Sequence, residues 1–187
     1  RRYIGSKSKL TPWIVDLILE NAKGDSFFDV FAGTGIMTKA MLEYCDKFII
    51  NDFLYSNEVI YEAFFGNEEI NAELLYEQEK EFQSIDVRKI EGNYFSENFG
   101  NKFFSFNDAK IIGEIRERIE NKEFLSNREK SILISSLLYS SDKVSNTVGH
   151  YDAYRKNISI EDEFLFNLIK PINTKDKCIT IYREDSN

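Results

Sequence analysis

Asp29-Val30-Phe31-Ala32-Gly33-Thr34-Gly35 is the stretch that decides the fold, because an apolar strand predicted over 27–31 runs directly into two glycines and a helix-forming segment. Glycine has no Cβ, so Gly33 and Gly35 let the backbone turn sharply and approach a ligand closely. The helix that follows presents its N-terminal N–H groups to the same crevice. This order of elements predicts the cofactor loop of an α/β fold.

A second strand, predicted over 47–50 after a helix at 36–44, ends in Asn51-Asp52. In nucleotide-binding α/β folds, a carboxylate at the tip of the second strand lies where a ribose offers its hydroxyls. A short G-x-G sequence also occurs in many ordinary turns. Strand, glycine turn, helix, strand and acid in this order make a nucleoside-containing cofactor the more specific prediction.

The remaining pattern predicts helices and one late strand. Thr11 is expected to cap the first helix, with Pro12 at its first position, and Ser126 and Glu129 form a predicted capping box. Helices are predicted over 11–21, 55–65, 68–89, 107–120, from 126 onward and over 159–169, with a structured loop at 92–106 and a strand at 177–182. The β-α-β unit belongs to a doubly wound sheet.

Length and composition describe a globular chain of 187 residues, 42% hydrophobic and 14% aromatic, long enough for one well-buried domain with an inserted subdomain. Cys45 and Cys178 lie in or beside apolar segments and are expected to be buried thiols. With one histidine in the chain, no metal site is expected. The sequence has no apolar run of membrane-spanning length, so a soluble cytoplasmic protein is expected and a membrane partner is not.

The formal net charge of −8 argues against nucleic acid, because Lys and Arg neutralise phosphate in such complexes. The distribution of charge changes that conclusion. Acids concentrate over 58–91, whereas residues 1–15 contain four cations and no acid, and residues 143–156 carry Lys143, Arg155 and Lys156 against Asp152. These basic segments are compatible with DNA, and ordinary solvated cations are the alternative interpretation.

Several stretches together resemble the Dam-like adenine-specific DNA methyltransferases. They are Arg2-Tyr3-Ile4-Gly5-Ser6-Lys7-Ser8-Lys9-Leu10, Phe31-Ala32-Gly33-Thr34-Gly35 and Asn51-Asp52, continuing through 92–98, the helix around 115–116, and 146–154. The resemblance spans nearly the whole chain. It implies a Rossmann-like S-adenosylmethionine-dependent fold with a partial sheet and a helical insertion. The implied parts are a cofactor-binding part at 1–66, a helical, target-recognition part at 67–158 and a return to the sheet at 159–187.

The resemblance also implies S-adenosylmethionine as the cofactor and assigns its contacts. Lys7 would pair with the methionine carboxylate, with Tyr3 beside it, and Asp29 would receive the amino group. Asp52 would hold the ribose, and the complete implied set is Tyr3, Lys7, Asp29, Phe31, Gly33, Gly35, Asp52 and Phe53. The alternatives are a surface lysine at Lys7, a strand-end acid at Asp29 and core packing for Phe53.

The implied partner is double-stranded DNA, and residues 146–154 are the best candidate for touching it. Asparagine can recognise adenine by paired hydrogen bonds, and tyrosine can stack or contact phosphate. The candidate residues are Lys143, Asn146, Tyr151, Tyr154, Arg155 and Lys156. The alternative is a glycine-containing helix stop at 146–149 whose tyrosines cover the edge of the core. His150 has no assigned role.

One departure from the family concerns catalysis, because its Asp-Pro-Pro-Tyr motif is absent and the only prolines are Pro12 and Pro171. We therefore expect no catalytic residue in this chain and no methyl transfer by it alone. The end at Asn187 after a predicted strand, and the absence of Met at position 1, suggest a truncated chain, a split subunit with a second fragment, or an incomplete sequence.

Two other classes of function remain open at this stage. A non-catalytic DNA-binding or regulatory relative of the family would keep the basic segments without requiring a cofactor. A nicotinamide-dependent dehydrogenase would use the same glycine turn, but Thr38 occupies the place of the third glycine in G-x-G-x-x-G. The favoured interpretation is an adenine-specific DNA methyltransferase of a restriction-modification system.

Overall fold

Parallel strands β1 (Ser26–Asp29), β2 (Lys47–Asn51) and β3 (Cys178–Tyr182) form a three-stranded sheet in the order β1-β2-β3. The computed structural model describes residues 8–149 and 151–186. Phe28 is the register partner of Ile49, which is in turn the partner of Thr180. A parallel pair needs a crossover connection, and between β1 and β2 it contains a short helix.

Helices α1 (Thr11–Asn21), α2 (Ile36–Met41) and α3 (Tyr55–Phe65) pack with this sheet. Phe48 and Ile50 of β2 are almost completely buried against Met41 and Tyr61. Residues 8–69 and 170–186 form one compact part, called the α/β unit. The opposite side of its sheet leaves Phe28 and Ile49 exposed.

Residues 70–149 and 151–169 form a second compact part, called the helical unit. It contains α4 (Ala72–Gln83), a 3-10 turn (Val87–Lys89), α5 (Tyr94–Phe99), α6 (Phe106–Asn121) and α7 (Asn127–Val144). Ile115 of α6 and Ile132 and Leu133 of α7 are fully buried, so apolar helix faces make this core. Among the described residues, no helix combines the length and apolar character needed to cross a membrane.

The predicted mixed α/β architecture is confirmed, with several local corrections. Leu10, not Thr11, is the N-cap of α1, and Ser105, not 107–108, caps α6. The predicted loop at 92–106 contains α5, because Asn93 and Ser96 form a reciprocal capping box that starts a helix there. The capping box of α7 at Ser126 is confirmed.

Other element bounds are shorter than predicted. Strand β1 ends at Asp29 because the backbone turns toward the glycines before Phe31, and α2 ends at Met41 rather than at 44. The predicted helix over 68–89 is confined to α4 and the 3-10 turn. Cys45 is buried as predicted, whereas Cys178 is exposed because it lies on the outward side of edge strand β3.

The largest correction concerns residues 159–169, which we call the strap. The strap is irregular, whereas a helix was predicted there. It packs within the helical unit, whereas a return to the sheet was predicted from residue 159. Phe166 is 1% exposed and meets the Phe82 ring edge-on at 5.0 Å. Because the strap is not helical, its backbone polar groups need partners other than helical carbonyls.

Side chains of α4, α6 and α7 provide those partners. The Asp108 carboxylate accepts the N–H groups of Glu163 and Phe164 at 3.0 and 3.1 Å. The other contacts are Asn167 N–H to Ser140 Oγ, Ile169 N–H to Ser136 Oγ, Leu168 N–H to Glu79 Oε1, and Gln83 Nε2 to Phe166 O. Five N–H groups of the strap therefore have hydrogen-bond partners although the strap forms no helix.

Candidate functional site

The sharp turn predicted at Gly33 and Gly35 is present between β1 and α2, and its backbone is left-handed. Gly33 has φ 56° and Gly35 has φ 69°, a region that other residues adopt at a cost. At Gly35 a Cβ would also lie 3.0 Å from Cε2 of Phe65. Gly33 O accepts a hydrogen bond from the buried Tyr61 hydroxyl at 2.8 Å, so α3 holds the turn from below.

Asp52 lies at the end of β2 and binds this turn directly. Its Oδ2 accepts the Gly33 N–H at 2.9 Å, and its Oδ1 accepts the Leu54 N–H at 3.0 Å. The residue is half-exposed. A carboxylate has roughly four acceptor sites, so both oxygens keep capacity for further donors such as ribose hydroxyls.

Asp29 is engaged differently, with the helix that follows the turn. Its Oδ2 accepts the Thr38 hydroxyl at 2.8 Å and the Thr38 N–H at 3.2 Å. Thr38, the residue in the place of a third glycine, is fully buried. These contacts support the alternative interpretation of Asp29 as a strand-end acid that orients α2, and its contact with a cofactor amino group stays a prediction.

A cavity of about 310 Å³ opens beside the turn. Phe31 and Phe53 line it together with residues 184–186. The two rings are 68% and 72% exposed, so core packing does not explain Phe53. Exposed aromatic faces at a cavity can stack on a planar ring of a ligand.

Residues 184–186 were missed by sequence reasoning, and Asn51 brings them to the cavity. Its Nδ2 donates to Glu184 O at 3.1 Å and to Ser186 Oγ at 2.7 Å, and its Oδ1 accepts the Glu184 N–H at 3.0 Å. The buried Asn51 thereby fixes the segment after β3 against the end of β2. The only sequence signal was the position of Asn51 beside Asp52. The strand order β2-β3 was needed to show that residues 184–186 lie against the end of β2.

Residues 1–7, 150 and 187 lie outside the described residues, and three residues considered for a role from the sequence are among them. They are Tyr3 and Lys7, both assigned to the cofactor, and the unassigned His150. The structure therefore brings together Phe31, Gly33, Gly35, Asp52 and Phe53 of the predicted cofactor set, with Asp29 at the base of the turn.

The candidate DNA-contacting residues belong to the helical unit, in the last turn of α7 and in the loop that follows it. Lys143, Tyr151, Arg155 and Lys156 are exposed, and Tyr154 is half-buried. Asn146 is only 8% exposed, and its Nδ2 donates to Lys102 O at 2.8 Å and Arg155 O at 2.9 Å. Both side-chain donors of Asn146 are thus used inside the protein.

The aromatic residues of this loop pack on a neighbouring turn. The Phe103 ring centroid lies 5.9 Å from that of Tyr151 and 5.2 Å from that of Tyr154. Lys102, exposed beside Phe103, was missed because 44 residues separate it from Asn146 in sequence. No local pattern signals that contact.

Comparison with known proteins matches nearly the whole chain to one family. Residues 3–186 match the family model described as D12 class N6 adenine-specific DNA methyltransferase. Among curated proteins, the chain is 29% identical over 166 residues to the type II methyltransferase M.NlaIII of Neisseria lactamica. It is 31% identical over 192 residues to the type II methyltransferase M.CviAII of Paramecium bursaria Chlorella virus 1.

The extent of these matches differs between the chain and its relatives. The M.NlaIII match covers 83% of this chain and 49% of that protein, and the M.CviAII match covers 98% and 58%. A modification methylase, LlaI of Lactococcus lactis subsp. lactis, is 32% identical over 171 residues, which are 83% of this chain and 27% of that protein. The chain thus spans about half the length of the first two relatives.

Proposed function

Because this chain belongs to the D12 class of N6 adenine-specific DNA methyltransferases, we propose that its α/β unit binds S-adenosylmethionine for methylation of adenine in double-stranded DNA. The observation that carries the proposal is the cavity lined by Phe31 and Phe53 beside the carboxylate of Asp52. An aromatic pair next to a ribose-binding acid and a glycine turn suits an adenosine group.

Each side chain of the site has a separate task in this proposal. Phe31 and Phe53 hold the planar adenine, and Asp52 accepts hydrogen bonds from the ribose hydroxyls. The glycine turn brings left-handed backbone to the ligand, and the absence of a Cβ at Gly35 leaves room for the Phe65 ring behind it. Lys7 is proposed to pair with the methionine carboxylate and Tyr3 to pack beside it, while Asp29 orients α2 and is available to the amino group.

S-adenosylmethionine supplies the methyl group as a sulfonium when bound. Transfer to the exocyclic amine of adenine requires that amine to lie in line with the methyl carbon, held by acceptors and a stacking wall for the flipped base. The family places these groups in Asp-Pro-Pro-Tyr, which this sequence lacks. We propose that this chain alone transfers no methyl group, and that a further segment or subunit carrying the motif completes the site.

The helical unit is proposed to contact DNA through the exposed cations and Tyr151 of the loop after α7. Cations at this surface would neutralise phosphates, and the overall negative charge would oppose binding elsewhere. The relatives are type II methyltransferases and modification methylases. A cytoplasmic restriction-modification role for the complete protein is therefore part of the proposal.

Calorimetry tests the cofactor site. The chain should bind S-adenosylhomocysteine, the demethylated product, and Phe31→Ala should weaken that binding. Phe28→Ala is the matched control, because Phe28 is an equally apolar and 56% exposed residue of β1 that does not line the cavity. Tighter binding of a nicotinamide dinucleotide than of S-adenosylhomocysteine would overturn the assignment.

A labelled-methyl assay on mixed-sequence duplex DNA tests the catalytic part. We expect no transfer by the isolated chain and transfer to adenine when a polypeptide with Asp-Pro-Pro-Tyr and the remaining strands is added. The missing motif also favours a second candidate, a non-catalytic DNA-binding relative. That candidate predicts DNA binding with no transfer under either condition, whereas robust methylation by the chain alone would contradict both.

A further inference from the structure

The loop over 145–156 is attached at its base to the turn that precedes α6. The Asn146 N–H donates to Phe103 O at 2.7 Å, and the Asn146 side chain donates to the carbonyls of Lys102 and Arg155. Thr147 and Tyr154 form an antiparallel bridge just above this point. One asparagine therefore joins both arms of the loop to a turn distant in sequence.

The orientation of this side-chain amide follows from its neighbours. Because Nδ2 faces two carbonyl oxygens, the reverse orientation would place acceptor against acceptor. The Oδ1 atom is buried and has no hydrogen-bond partner among the residues that the structure describes. Bidentate recognition of adenine requires a donor and an acceptor of the same amide at the surface, and Asn146 presents neither.

The top of the loop is held by a second set of contacts. The Tyr151 hydroxyl donates to Asp142 Oδ1 of α7 at 3.1 Å, and the rings of Tyr151 and Tyr154 pack on Phe103. The loop is thus fixed to α7 on one side and to the 101–104 turn on the other. Lys143 of α7, Arg155 and Lys156 of the loop and Lys102 of the turn are all exposed around these attachments.

We propose that Asn146 is a positioning residue, and that it joins Lys102 to Lys143, Arg155 and Lys156 in one phosphate-binding surface. This inference rests on the proposed DNA-binding function of the same loop. The two carbonyls held by Asn146 belong to Lys102 and Arg155, so the amide sets the separation of these two cationic residues. The two segments that form this surface, 101–104 and 142–156, carry these four cations against two acids, Asp142 and Asp152.

The contribution of Lys102 can be measured without disturbing the fold. Binding of the full chain to a fluorescein-labelled mixed-sequence duplex is followed by anisotropy over a range of NaCl concentrations. Each lost phosphate contact reduces the slope of log K against log salt by about 0.9. We expect this reduction for Lys102→Ala, and no change for Lys89→Ala, an exposed lysine of the same unit.

Asn146→Leu tests the positioning role, because it keeps about the size of the side chain, removes both donors and adds no charge to the surface. We expect weaker binding of every duplex, by about 10-fold at low salt, and a slope reduced by about 1 to 2 because Lys102 and Arg155 are no longer aligned. Sequence preference should stay unchanged. Circular dichroism establishes whether the variant is folded. If it is not, the salt slope of Lys102→Ala tests whether Lys102 belongs to the phosphate-binding surface.

The outcomes separate this inference from the function on which it rests. If the chain shows no salt-dependent DNA binding, the proposed function and the inference both fail. If Arg155→Ala reduces the slope but Lys102→Ala leaves it unchanged, the composite surface is wrong while DNA binding by the loop stands. If folded Asn146→Leu alters sequence preference at an unchanged slope, Asn146 contacts bases and the positioning role is overturned.

Discussion

Asp52 in the α/β unit and Asp108 in the helical unit each accept two main-chain N–H groups, yet their surroundings give them different roles. Asp52 uses one oxygen for Gly33 and the other for Leu54 and is half-exposed beside a cavity. Asp108 uses one oxygen for Glu163 and Phe164 and is 3% exposed. Burial raises the pKa of the Asp108 carboxyl above its ordinary value, despite these hydrogen bonds.

The difference shows that hydrogen bonding to the backbone does not by itself identify a binding residue. A half-exposed carboxylate with unused acceptor capacity can take hydroxyl donors from a ligand, whereas a buried one serves the chain that covers it. The glycine turn lies beside solvent, whereas the strap covers the core of the helical unit. Four measurements sharpen this contrast between turn and strap.

The largest effect is expected at Phe166 of the strap. Phe166→Ala removes a fully buried ring and its edge-on contact with Phe82, so the free energy of unfolding should fall by about 3–5 kcal/mol. Denaturant titration measures the change. The control is Leu165→Ala in the same strap, since Leu165 is 54% exposed; equal losses at the two positions would mean that Phe166 does not anchor the strap.

At the turn, the expected effect is on ligand affinity. Asp52→Ala should weaken S-adenosylhomocysteine binding by about 1.5–3 kcal/mol, the range for hydrogen bonds to a charged group. Asp176→Ala removes an exposed carboxylate elsewhere in the α/β unit and should leave the affinity unchanged. Calorimetry at one pH and salt concentration compares them, and unchanged affinity in Asp52→Ala would remove this residue from the site.

Removing the buried carboxylate should destabilise the fold by leaving two N–H groups of the strap unpaired. Asp108→Ala is expected to lower the free energy of unfolding by about 1–3 kcal/mol. The side chain of Glu163 in the strap is exposed, so Glu163→Ala should change the free energy of unfolding by less than about 0.5 kcal/mol. A similarly small effect at Asp108 would show that the strap does not depend on this carboxylate.

The smallest effect is a dependence on pH. Because the pKa of Asp108 is raised in the folded state, its protonated form favours folding; that stability is fully present below the unfolded pKa and is lost as pH rises through the folded value. Asp108→Asn removes this titration and keeps an acceptor oxygen. The stability of the parent relative to this variant should therefore decline as pH rises from the unfolded pKa of about 4 through the raised folded value; a difference that grows with pH would contradict the assignment.

Sequence reasoning succeeded where a local pattern corresponds to a local structure. The turn after β1 could be predicted because Gly33 and Gly35 allow the backbone to turn sharply. The start of α7 could be predicted because residues 126–129 form a capping box. Sequence reasoning failed at the strap. Its residues are compatible with a helix, but the burial of Phe166 and hydrogen bonds to side chains of three helices stabilise an irregular conformation instead. The position of residues 184–186 at the cavity depends on their hydrogen bonds to Asn51. These bonds form because β2 and β3 are neighbouring strands.

The sequence by itself determined the family, the α/β core and the carboxylate that follows the second strand, because these depend on short-range patterns of glycine, charge and apolar residues. Only the tertiary structure decided that Asn146 is buried and Phe53 exposed, and that Lys102 joins the loop over 145–156. The physical reason is that exposure and hydrogen-bond partners are set by residues far away in sequence, which compete for the same polar groups once the chain is packed.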